Sequence, residues 1–97
     1  MSYRVEEEKY MLAMIGGNGI KILLTLLEQG PLHITALLGQ SGVSHGGYMR
    51  PLNVLQSLGL VRIEKIGKLK IVDLTSRGAY VADNLKKIEE YIRLESQ

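Results

Sequence analysis

Leu52-Asn53-Val54-Leu55-Gln56-Ser57-Leu58-Gly59-Leu60-Val61-Arg62-Ile63-Glu64 changes its hydrophobic period at Gly59. Before the glycine, Leu52, Leu55 and Leu58 recur at three-residue steps, the spacing of one helical face. After it, Val61 and Ile63 alternate with Arg62 and Glu64, the period of a strand. Alternation resumes at Lys68-Leu69-Lys70-Ile71, and Gly67 between the two runs marks a hairpin tip. A helix followed directly by a basic hairpin is therefore expected.

Working upstream, Val43 and Tyr48 extend the apolar face of that helix, while His45, Met49, Arg50, Asn53 and Gln56 fall on the other face. Pro51 lies inside the pattern, where an interior proline costs about 3 kcal/mol. Two outcomes fit it: a kinked helix, or one that begins near Gly47 with Pro51 in its first turn. Ser44 is the expected N-cap. Gly30 and Pro31 form a stop-and-start signal, and Ile34, Leu37 and Leu38 then mark a short amphipathic helix ending near Ser41 and Gly42. Before it, Ile20, Ile22, Leu23, Leu24, Leu26 and Leu27 cover most of a helix over about residues 19–29, capped by Asn18 and central to the core. Gly16, Gly17 and Gly19 separate it from a first helix over residues 4–15, which carries Tyr10, Met11, Met14 and Ile15 after an acidic turn at Glu6, Glu7 and Glu8. Downstream, Thr75 caps a last helix through about Leu94, with Val81, Leu85, Ile88 and Ile92 at four-, three- and four-residue steps.

The chain has 97 residues, 45% hydrophobic and 23% charged, which suits one domain with one core. It contains no cysteine, which excludes a disulfide framework, a cysteine-ligated zinc site and a thiol nucleophile. With two histidines that lack helical metal-ligand spacing, no metal or other cofactor is expected, and His33 is read as a residue near a helix start. Ser44 and His45 are neighbours with no third group to orient them, so no enzyme is expected. No secretory signal and no apolar stretch long enough to span a bilayer is expected, which points to a cytoplasmic protein. The net charge of +2 is small but unevenly placed. Residues 61–79 carry +3, from Arg62, Lys65, Lys68, Lys70 and Arg77 against Glu64 and Asp73, while residues 1–15 and 80–97 each sum to −1.

The element order resembles the winged-helix regulators of the ArsR and MarR type. Three phrases carry the resemblance: Ile22-Leu23-Leu24-Thr25-Leu26-Leu27 followed by Gly30-Pro31-Leu32, then residues 52–61, then Leu74-Thr75-Ser76-Arg77-Gly78. Their order and spacing are more specific than any one alone. The resemblance implies a mainly α fold with a small β-hairpin, a winged helix-turn-helix with added terminal helices: residues 1–15, a core over 18–78, and 79–97 for dimerisation. It also implies a reading helix from about Ser44 and a wing over about residues 60–74.

On this basis Arg50 and Asn53 are expected to touch base edges in a major groove, with Ser44, His45 and Met49 beside them. Arg62, Lys65, Lys68 and Lys70 are expected on phosphates or in a minor groove, although edge strands also carry lysine simply to block sheet aggregation. Tyr3, Tyr10, Met11, Met14, Val81, Leu85, Ile88 and Ile92 are the expected homodimer interface. The expected function is sequence-specific binding of double-stranded DNA by a homodimeric, nucleoid-associated transcriptional regulator. An architectural chromatin-type DNA binder and a winged-helix protein-interaction module are the alternatives.

Overall fold

A computed structural model describes residues 9–96. Tyr3, the acidic turn and the expected helix start at residue 4 lie outside the described residues. The elements are α1 (Met11–Gln29), β1 (Leu32–His33), α2 (Ile34–Ser41), α3 (Met49–Ser57), β2 (Val61–Ile66), β3 (Leu69–Leu74) and α4 (Ser76–Glu95). The three strands form an antiparallel sheet in the order β1-β3-β2. The four helices and small sheet match the expected α+β class, and β1 is an addition that a two-residue strand without periodicity could not announce.

The core is drawn from every layer. Ile22, Leu23 and Leu26 of α1 meet Leu37 and Leu38 of α2, Leu52, Val54 and Leu55 of α3, Val61 and Val72 of the sheet, and Ala82 of α4, all buried. α1 touches α2, α3, α4 and β3, as a helix apolar around most of its circumference must.

Three local expectations are corrected. The expected break between two helices is present within α1 but falls on Gly16 alone, with φ 65° and ψ 179°, rather than spanning Gly16 to Gly19. Asn18 is therefore helical, not a cap, and its side-chain amide donates to the Gly47 carbonyl at 3.2 Å. The joined helix reaches 19 residues with a mean hydropathy of 1.4, long and apolar enough to cross a membrane by those measures. Its Ile15, Ile22, Leu23 and Leu26 are buried and pack inside the domain, whereas Met11 and Leu12 at its start are exposed. α3, finally, begins at Met49, so Ser44 is not its N-cap; the Ser44 carbonyl instead accepts from Gly47 N–H at 3.1 Å in the preceding turn. Pro51 falls in the first turn of α3, where its missing N–H leaves no helical hydrogen bond unmade.

Helix α3, strand β2 and helix α4 meet at one joint. Gly59, with φ 73°, ends α3, and Leu60 N–H closes back on the Leu55 carbonyl at 2.9 Å. The Thr75 hydroxyl donates to the Gly59 carbonyl at 2.6 Å and accepts from Gly78 N–H at 3.0 Å, capping α4 as expected. Thr75 N–H bonds to the Leu60 carbonyl at 3.1 Å. Gly78 sits so close to that carbonyl that a Cβ there would overlap it.

Beyond this joint α4 runs beside α1, and residues as far along as Arg93 line a cleft between the two helices. Val81 and Leu85 pack against the core, whereas Ile88, Tyr91, Ile92 and Leu94 are exposed, as are Tyr10, Met11 and Leu12 at the other end of the chain.

Two substitutions test the joint. Thr75→Ala should lower stability by about 1–2 kcal/mol, with Thr75→Ser close to wild type because it keeps both hydrogen bonds. Each kcal/mol corresponds to roughly 4–8 °C of melting temperature for a domain of this size. Gly78→Ala should cost more than Thr75→Ala in the same thermal unfolding experiment, since a backbone carbonyl cannot swing aside. A neutral Gly78→Ala would remove the close approach from the account.

Candidate nucleic-acid interface

The register of the hairpin decides which side chains share a face. Val61, Ile63 and Lys65 stand opposite Leu74, Val72 and Lys70, and directly opposed residues project to the same side. Val61 and Val72 are buried, so this face turns inward at its base, and Lys65 and Lys70 continue it past the core. Arg62, Glu64 and Ile66, opposite Asp73, Ile71 and Leu69, form the outer face.

The inward face meets the exposed side of α3. Met49, Asn53 and Gln56 from the helix, with Ile63, Lys65 and Lys70 from the hairpin, line one open groove floored by Ile34, Tyr48 and Leu52. Two cations thus lie beside two side-chain amides. Asn and Gln each offer a donor and an acceptor side by side, the pattern that matches adenine in a major groove. Lys65 and Lys70 face each other directly across the ladder, an arrangement that repels. Among the described residues no carboxylate forms an ion pair with either.

The remaining candidates are distributed around this groove. Lys68 lies at the hairpin tip, where Gly67 has φ 62° and no other residue has a positive φ, the type II′ pattern for a two-residue turn. It lines a second depression with His33, Thr35 and Lys70. Ser44 and His45 are exposed on the turn before α3 rather than on the helix, and the His45 ring stands edge-on to Tyr48 with centroids 6.5 Å apart. Arg50 is exposed at the start of α3 but lines a separate cleft with Gly16, Gly17, Asn18, Gly46 and Gly47. Arg62 is set apart from the lysines, on the outer face and paired with Asp73 at 3.2 Å. Strand parity alone carries that information, because residues 62 and 65 are an odd number apart. Gln56, which the sequence reading put on the exposed face without assigning it contact, belongs to the groove.

His33 has a structural task. Its Nδ1 accepts from Ala36 N–H at 3.4 Å and caps α2. A wider cleft between α1 and α4 has Ile20 and Leu24 on its floor, ringed by Lys21, Lys86, Glu28 and Glu90 in mixed sign.

No family model and no curated protein matches the sequence. Several solved structures match the fold. BpsR from Bordetella bronchiseptica, whose DNA binding is regulated by 6-hydroxynicotinic acid, aligns with a TM-score of 0.78 at 13% identity over 94% of this chain and 71% of its own. Sso10a-2, a DNA-binding protein from Sulfolobus solfataricus, gives 0.60 at 20% identity over 79% and 86%. An ArsR family transcriptional regulator gives 0.55 at 19% identity over 100% and 99%. The expected architecture stands: this chain has the winged helix-turn-helix fold, with α2 and α3 as the helix-turn-helix and β2 and β3 as the wing.

Proposed function

We propose that this protein is a DNA-binding transcriptional regulator that reads double-stranded DNA as a homodimer. The observation that carries the proposal is the groove in which Asn53 and Gln56 of α3 stand beside the opposed lysines Lys65 and Lys70. A polyanion brought to that groove relieves the repulsion between the lysines, and the amides then lie where base edges are presented. Arg50 and Met49, at the N-terminal end of α3, are placed where reading helices commonly make their first base contacts. The proteins that share the fold support this reading: two of the three are described as binding DNA and the third as a transcriptional regulator.

The dimer rests on a different observation. Tyr10 and Met11 near the start of the described chain, and Ile88 and Ile92 in the second half of α4, keep large apolar surface in solvent. Such surface is characteristic of protein interfaces. Of the expected interface, Met14, Val81 and Leu85 already pack against their own core, so they support these residues from beneath. Two reading helices in successive major grooves lie about 34 Å apart and favour a pseudo-palindromic site.

Fluorescence anisotropy of a labelled mixed-sequence duplex at several salt concentrations tests the shared premise. Log affinity should fall against log salt with a slope of about −5 to −7 for a dimer that neutralises six to eight phosphates. A flat salt response sinks the wing assignment, and equal affinity for every sequence would favour the architectural reading.

Single substitutions separate the roles of the elements. Lys70→Ala should weaken binding to all sequences about equally and make the slope shallower by about 2 per dimer. Arg62→Ala should cost less than Lys70→Ala, because Asp73 already engages Arg62 on the far face. Asn53→Ala should relax preference at one base pair by about 1–3 kcal/mol, read from competition between duplexes that differ at that position. A uniform loss for Asn53→Ala would mean that α3 does not read bases.

A further inference from the structure

The outer face of the wing tip has a feature that phosphate gripping does not use. Ile66 and Leu69 are the last opposed pair before the turn, and they are 60% and 51% exposed. Both project to the side opposite Lys65 and Lys70. β2 is an edge strand, and β1 reaches β3 only at Ile71 and Val72, so the tip extends beyond the three-stranded part of the sheet. An exposed apolar pair on a free hairpin end invites edge-to-edge association, and natural hairpins usually place polar residues there. The cations around it are dense: Lys65, Lys68 and Lys70 fall within six residues that contain no carboxylate.

An apolar pair set among cations fits a partner with an anionic rim and an apolar interior. The minor groove of a duplex has that make-up, with phosphates along its edges and deoxyribose and stacked bases inside. We propose that the wing tip is an apolar wedge: Ile66 and Leu69 enter the minor groove and open a base step while the three lysines hold the flanking phosphates, so that binding bends the DNA. Ile and Leu are among the side chains that perform such unstacking, and the kinks they produce run from about 20 to 90°. The inference rests on the DNA-binding reading above and adds to it a deformation of the duplex, which makes pyrimidine–purine steps the favoured place for the wing.

The test compares wild type with the Ile66→Thr/Leu69→Thr double variant, in which β-branched residues keep the strand propensity. Each protein is titrated onto a duplex of about 30 base pairs carrying a donor and an acceptor dye at its ends, so that affinity and end-to-end distance are read together. Far-UV circular dichroism and sedimentation accompany the titration. Wild type should shorten the end-to-end distance, and the folded double variant should bind within about tenfold, with the same salt slope, and leave the duplex straight. Binding without bending by wild type, or equal bending by both proteins, overturns the wedge while leaving DNA binding intact. A change in sedimenting mass on substitution would assign the pair to a contact between copies of the chain and overturn the wedge as well. Failure to bind any duplex at low salt would overturn both readings, and binding instead to vesicles of anionic phospholipid would replace them with a membrane surface.

Discussion

The carbonyl of Leu60 is the point on which the geometry turns. It accepts the Thr75 N–H and has Gly78 pressed against it, while its residue's own N–H is held by the end of α3. Helix α3, strand β2 and helix α4 thereby meet on the backbone of one residue. Fixing it sets where the hairpin leaves α3 and where α4 starts after the hairpin returns. A side chain at residue 78 would push α4 off the sheet, and loss of the Thr75 hydroxyl would release both the Gly59 carbonyl and the first turn of α4.

The groove follows from that arrangement. Because β2 starts immediately beyond the Gly59 turn, its inward residues emerge alongside the exposed face of α3, and the parity of the strand selects Ile63 and Lys65 for that side. The opposed lysines weaken the hairpin slightly, since like charges directly across a ladder repel. On the far side of α3, the Asn18 amide holds the Gly47 carbonyl and ties the turn before the helix to α1 just past its kink. Helix α3 is thus anchored at both ends, by Gly47 to α1 and by Leu60 to α4.

Much of this was legible because several signals agreed locally. The switch of period at Gly59, the glycine at the hairpin tip and the threonine cap of α4 each act within a few residues, where sequence pattern and structure are closely linked. Other features depended on what lies elsewhere in the fold. Ser44 resembled an N-cap, yet the chain spends Ser44 to Gly47 in a turn and lets the proline-containing segment start the helix four residues later. Asn18 resembled a cap too, because the sequence does not reveal that a carbonyl 29 residues away will receive its amide. The separation of Arg62 from the lysines is readable from alternation alone, since residues an odd number apart on a strand project to opposite faces however close they lie in the chain. The meeting of Gln56 with Lys70 had no local signal at all, since it arises only when hairpin and helix are brought side by side.

The late start of α3 has a bearing on information. Nine residues at 1.5 Å each give a helix of about 13.5 Å, close to the rise of four base pairs of B-form DNA. A word of four letters recurs every few hundred base pairs in random sequence, far too often to mark one address among the roughly million or more competing positions of a genome. On the proposed reading of DNA by a pair of such helices, selectivity would come from grammar: the distance between two copies of the word, their relative orientation, and how readily the duplex between and beside them bends.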